Sequence, residues 1–170
     1  MNHPSIGIFK ILTYLLLPIG FLFGMLGVMM LVMALGNPQI LLPLFLMICF
    51  AIYIFTSFRF TQLISAGLPL TQRLRDWMRV NGYVCVFMSL LFLLNAAAIF
   101  FLPEQKLVEM VQPSIDSMGN LAGGITAEQM VSKLQSFSFF LMAMSSFLLA
   151  HIVMNFRLQK IFSSSGNQSE

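Results

Sequence analysis

"LPLTQRLRDWMR", residues 68–79, is the most polar stretch of the chain apart from its tail. It separates two long runs made almost entirely of Leu, Phe, Met, Ile, Val and Ala. Gly67 and Pro69 break the chain there, and Arg73, Arg75 and Arg79 follow with Trp77 among them. Gly and Pro end a helix, and arginine resists entry into hydrocarbon. The stretch therefore reads as a cationic connection between two membrane spans, and the rest of the chain repeats that pattern.

Composition supports this class. Of 170 residues, 58% are hydrophobic and 9% charged. A soluble domain carries about a quarter charged residues to cover its surface, so lipid must be the solvent here. The net charge of +3 does not indicate nucleic acid, because the nine Lys and Arg are spread over several segments and form no basic face.

Spanning helices are expected at about 9–35, 40–64, 78–102 and 134–160. Each reaches the ~20 apolar residues that cross a ~30 Å hydrocarbon core. "GNPQ", residues 36–39, is a tight turn that makes the first two an antiparallel hairpin. The first run is read as a span and not as a cleaved signal. Its apolar stretch is about twice a signal core, and only Lys10 precedes it, although Val32 and Ala34 offer a weak small-residue site. Residues 65–77 form the second connection and 103–133 the third. In the third, Leu107, Val108 and Val111 share a face, which predicts a short interfacial helix. "SIDSMGNLAGG" is expected to be a loop. Thr126 with Gln129 is a capping box that starts the last helix near residue 127. The predicted fold is an all-α integral membrane protein, a single domain over residues 1–170 built as an antiparallel four-transmembrane-helix bundle.

Charge orients it. Lys10, Arg59, Arg73, Arg75, Arg79, Arg157 and Lys160 fall on one side, seven against the two of Lys106 and Lys133. Positive residues near span ends stay inside. Both termini and the 65–77 turn are expected to be cytoplasmic, the 103–133 loop extracytoplasmic, and the membrane the plasma (inner) membrane. Within the turn, Leu70, Leu74 and Trp77 share a helical face. Arg73, Arg75, Trp77 and Arg79 are the candidate contact with anionic headgroups or with a partner.

Helical periodicity then picks out small and polar stripes. Thr13, Gly20, Gly24, Gly27 and Ala34 fall on one face of the first span, and "GFLFG" at 20–24 is a GxxxG pattern. Gly20, Gly24 and Gly27 are the candidate close-packing residues, against the second span or in a homodimer seam. The second span carries Cys49, Tyr53, Thr56 and Phe60 on one face. The third carries Asn81, Cys85, Met88, Ser89, Phe92, Asn95 and Ala96, and the fourth Met144, Leu148, His151 and Asn155. With the orientation above, Tyr53, Thr56, Asn81, Cys85, His151 and Asn155 lie in the inner half. They are the candidate buried polar layer, and His151 is expected to hydrogen-bond one of the others.

Known chemistries find little to stand on. Haem ligation wants a pair of histidines, and His151 is the one histidine in a span. Zinc wants three or four ligands, and Cys49 lies too near the bilayer centre to join His151 and Cys85. Cys-x-x-Cys and a phosphate-binding Gly-rich loop are both missing. Met25, Met29 and Met33, at four-residue steps, read as packing or lipid-facing side chains before a copper relay. No Asp or Glu lies within a span, which weakens a proton- or cation-coupled carrier. No enzyme activity, catalytic residue, metal or cofactor is expected. The expected function is a non-enzymatic structural, assembly or regulatory component acting through helix packing. Its partners are the lipid bilayer and a second copy or another membrane protein. The alternative is a small oligomeric transporter or channel lined by the polar stripes.

Overall fold

The computed structural model describes residues 4–118 and 126–166. Within them the chain forms five α-helices and no strand: α1 (Pro4–Ala34), α2 (Leu41–Ala66), α3 (Gln72–Phe101), α4 (Glu104–Met118) and α5 (Ala127–Gly166). Four of the five, α4 excepted, are long and apolar enough to cross a membrane. An apolar run in lipid must satisfy its backbone internally, and a helix is how a single segment does so.

The connections follow local chemistry. Between α1 and α2, the Asn37 side chain accepts the backbone N–H of Gln39 at 3.1 Å and opens a single 3-10 turn, Pro38–Ile40. At the end of α2, Gly67 takes φ +65°, a left-handed conformation that costs a β-carbon residue energy. Gly67 N–H donates to Ile64 O and Leu68 N–H to Leu63 O, so two orphan carbonyls are satisfied. Thr126 and Gln129 exchange hydrogen bonds, backbone to side chain in both directions, and α5 starts at Ala127.

Two expectations are corrected. The arginine-rich stretch is not a turn: α3 begins at Gln72, so Arg73, Arg75 and Trp77 stand on its first turns. The apolar period of the third span simply extends back through them, and the true connection is 67–71. Likewise Ser114–Met118 are helical, because α4 runs past Pro113, which sits inside it. The rest of the expected loop, 119–124, lies outside the described residues.

The chain divides into two compact units. The first holds α1, α2, the first half of α3 as far as Met88 and the second half of α5 from Phe147. Its core takes one residue from each: Phe9, Phe60, Met78 and Leu158, all buried. Leu70 and Leu74 pack against this cluster. In the second unit, residues 89–146, Ala96, Leu107, Val131, Ser138 and Ser145 are buried. There α4 is amphipathic, with Leu107 buried and Glu104, Lys106 and Glu109 exposed.

Helix α1 lies along α2 in antiparallel sense. A β-carbon on Gly20 would meet Ile54, one on Gly24 would meet Ala51, and one on Gly27 would meet Ile48. The outer face of α1 is left to large apolar side chains, among them Ile11, Phe21, Met25, Val28 and Val32. Lipid is the solvent such a face requires.

Candidate functional site

Polar residues at four-residue steps build a buried network in the first unit. On α2 these are Tyr53 and Ser57, on α5 His151, Asn155 and Gln159, and on α1 Thr13. Residues i and i+4 share a helical face, so each helix delivers its polar groups as one column. All six side chains are 0% exposed, so each must be satisfied inside.

The bonds have a direction. The Thr13 hydroxyl donates to Phe9 O on its own helix at 2.8 Å. Its one proton is thereby committed, so at 2.9 Å it accepts from His151 Nε2. The imidazole therefore carries its proton on Nε2, and Nδ1 accepts from the Tyr53 hydroxyl at 2.9 Å. That hydroxyl in turn accepts from Asn155 Nδ2 at 3.2 Å. Asn155 Nδ2 also donates to Ser57 Oγ at 3.0 Å, and Gln159 Nε2 donates to Asn155 Oδ1 at 3.0 Å. The chain runs from Gln159 through Asn155, Tyr53 and His151 to Thr13 and ends on a backbone carbonyl. One atom is left over: Gln159 Oε1 is buried without a hydrogen-bond partner.

Aromatic rings hold the imidazole in place. Phe9 stacks on it, with centroids 4.7 Å apart and planes 15° from parallel. Tyr53 meets it edge-on at 5.6 Å. Gly82 of α3 lies close by. A β-carbon there would stand 3.1 Å from the Phe156 ring and 3.5 Å from the Tyr53 ring.

Of the six residues expected to share a polar layer, the structure joins Tyr53, His151 and Asn155. Thr56 is half-buried and donates to carbonyls of its own helix, those of Ile52 and Tyr53. Asn81 donates to Trp77 O, also in its own helix. Cys85 is buried, as is Cys49, and neither is in a disulfide. Helix periodicity missed Ser57, Gln159, Gly82 and the part played by Thr13. A signal existed for two of them: Ser57 and Gln159 each stand four residues beyond a residue already singled out. Among the described residues no group of three His, Cys, Asp or Glu is placed to hold a metal ion.

The basic stretch divides as well. Arg73 and Trp77, one turn apart on α3, line an open cleft of about 370 Å³ together with Arg59 on α2. Arg75 and Arg79 are not part of its lining, and Arg75 Nε is buried without a hydrogen-bond partner. Comparison of the chain with protein-family models, curated proteins and solved structures found no match to any of the three.

Proposed function

We propose that the chain is a multi-pass protein of the plasma (inner) membrane, an antiparallel four-helix bundle with both termini cytoplasmic. It acts without catalysis, as a scaffold or regulatory subunit that works through helix packing. The observation that carries this reading is the buried network. Each buried side-chain nitrogen and oxygen of the network has a hydrogen-bond partner inside the protein except Gln159 Oε1. A transport path needs polar groups that face water, and a reaction centre needs groups that face a substrate. This layer offers its polarity to itself, as helix-joining polar residues in lipid do.

The test is cross-linking in native membranes followed by isolation in mild detergent. The expected product is a complex of fixed stoichiometry, either with a second copy or with another membrane protein. A monodisperse monomer from both cross-linked and untreated membranes would end the scaffold reading.

Orientation has its own expected result. Reporter fusions at Gly67 and Gly123 should report opposite sides, with Gly67 cytoplasmic. Replacing Arg73, Arg75 and Arg79 together by Gln leaves four Lys or Arg inside against two outside. Partial mis-orientation is then expected, not full inversion. The same side for both fusions in the parent chain would exclude four spans with both termini inside.

A further inference from the structure

The cleft between α2 and the start of α3 brings two arginines, a tryptophan and two leucines to one place. Thr56, Arg59 and Leu63 recur at three and four residues along α2, so they form one wall. Arg73 and Trp77, at i and i+4 on α3, form the other, and Leu74 and Thr71 complete the lining. Two guanidiniums from different helices thus share one cavity, and none of its lining residues is acidic. Among the described residues neither Arg59 nor Arg73 has a carboxylate partner. An anion placed in the cleft would be attracted to both.

The donors narrow the anion's identity. Guanidinium offers a planar fork that matches phosphate oxygens in pairs. The indole N–H of Trp77 donates only. Thr56 adds no donor, because its proton goes to its own helix. The volume, about 370 Å³, falls within the ~300–1,000 Å³ of small-molecule sites and far exceeds what a lone halide needs. Leu63, Leu74 and the indole ring give the cleft an apolar share that a bare inorganic ion would leave unused. Position agrees. Arg59 lies seven residues before the last residue of α2, roughly 10 Å along the axis at 1.5 Å per residue. An arginine set back that far on a membrane-crossing helix is costly without an anionic partner.

We propose that this cleft binds a phosphate ester, with Arg59 and Arg73 clamping the phosphate and Trp77, Leu63 and Leu74 covering the organic part. An anionic phospholipid headgroup and a soluble phosphate ester share that chemistry, and they differ in whether a tail follows. Binding is scored on the isolated chain, so this inference stands or falls separately from the scaffold reading.

The experiment uses the full chain in neutral detergent. Native mass spectrometry and thermal midpoints are recorded with phosphatidylglycerol, phosphatidylcholine and glycerol 3-phosphate. Phosphatidylglycerol should bind and raise the midpoint, while phosphatidylcholine, whose choline cation offsets its phosphate, should bind more weakly and raise it less. Arg59→Gln and Arg73→Gln should each weaken binding about tenfold, the loss of one charge-assisted contact. Arg79→Gln removes the same charge outside the cleft and should change affinity less than about twofold. Arg59→Lys keeps the charge without the fork and should fall between. Should Arg59→Gln fail to fold, Arg73→Gln on the exposed first turn of α3 carries the comparison. Phosphatidylglycerol binding alone assigns the cleft to lipid. Glycerol 3-phosphate binding with the same arginine dependence assigns it to a soluble ester. Equal losses from Arg79→Gln and Arg73→Gln, or no binding of either phosphate probe, would overturn the proposal.

Discussion

Gly20→Leu should cost about 2–3 kcal/mol of stability, the upper part of the range for forcing bulk into a packed site. Gly24→Ala and Gly27→Ala should instead be neutral or stabilising, by up to about 1 kcal/mol from better helix propensity. The difference is geometric. A β-carbon on Gly20 would stand 2.8 Å from both Cβ and Cγ2 of Ile54. Those atoms sit at the root of a β-branched side chain that is 0% exposed, so rotation cannot clear them. The helices themselves would have to part. On Gly24 the added atom would meet Ala51 Cβ at 3.5 Å, and on Gly27 it would meet Ile48 at 3.6 Å. Both are ordinary contacts. Reversible unfolding in mixed micelles of lipid and denaturing detergent measures all three. Equal losses at the three glycines would mean that some surface other than the α1/α2 contact uses the stripe, a homodimer seam being the first alternative.

The three glycines show where sequence reading stops. Helical period places them on one face and assigns that face to close packing, but it treats them alike. Only the partner and its closeness separate them: Ile54 meets Gly20 through Cβ and Cγ2 at 2.8 Å, whereas Gly24 meets the small Ala51 at 3.5 Å and Gly27 meets Cγ1 of Ile48 at 3.6 Å. The partner is set by the register of the α1/α2 hairpin. That register depends on the Asn37 turn and its 3-10 step, which no periodicity reports. The long apolar helices, by contrast, were legible from composition and length alone, since the cost of an unpaired backbone in lipid leaves a single segment little choice. The start of α5 was legible for a local reason, the Thr126 and Gln129 exchange.

The buried network was half legible. His151, Tyr53 and Asn155 stand out because imidazole, phenol and amide groups are rare in apolar runs. Thr13, Ser57, Thr56 and Asn81 are ambiguous for a physical reason. Short hydroxyl and amide side chains can return a hydrogen bond to their own helix one turn back. Thr56 and Asn81 do only that, whereas Thr13 does it and still accepts from His151. Which outcome holds depends on what stands opposite, and opposite residues belong to other segments.

His151→Leu should destabilise the chain by about 1–2 kcal/mol, at the upper end of interhelical hydrogen bonds measured in lipid. The change removes two bonds that tie α5 to two different helices. Thr13 keeps its bond to Phe9 O, so little is lost on that side. Tyr53 is worse off. Its hydroxyl still accepts from Asn155 but loses the acceptor for its own proton, inside a site with no exposure. Most of the penalty therefore comes from that orphan O–H. His151→Gln should recover most of the loss, because an amide offers an oxygen toward Tyr53 and an N–H toward Thr13. Tyr53→Phe should also destabilise, since it strands His151 Nδ1. In the double variant Tyr53→Phe with His151→Leu both orphans vanish together, so the losses should fall short of additive by roughly 0.5–1.5 kcal/mol. Additivity would show that Tyr53 and His151 do not share the bond. A pH series separates glue from switch. In the neutral arrangement both ring nitrogens are occupied, one donating to Thr13 and the other accepting from Tyr53. A second ring proton would point at a hydroxyl that is itself donating, so the Tyr53 O–H would have to rotate and find another acceptor. If His151 serves as structural glue, wild type and His151→Gln should show parallel stability between about pH 5 and 8. Divergence of the two curves toward the acid end, with His151→Gln flat, would instead assign His151 to a protonation-driven rearrangement of the Tyr53–Asn155–Gln159 chain.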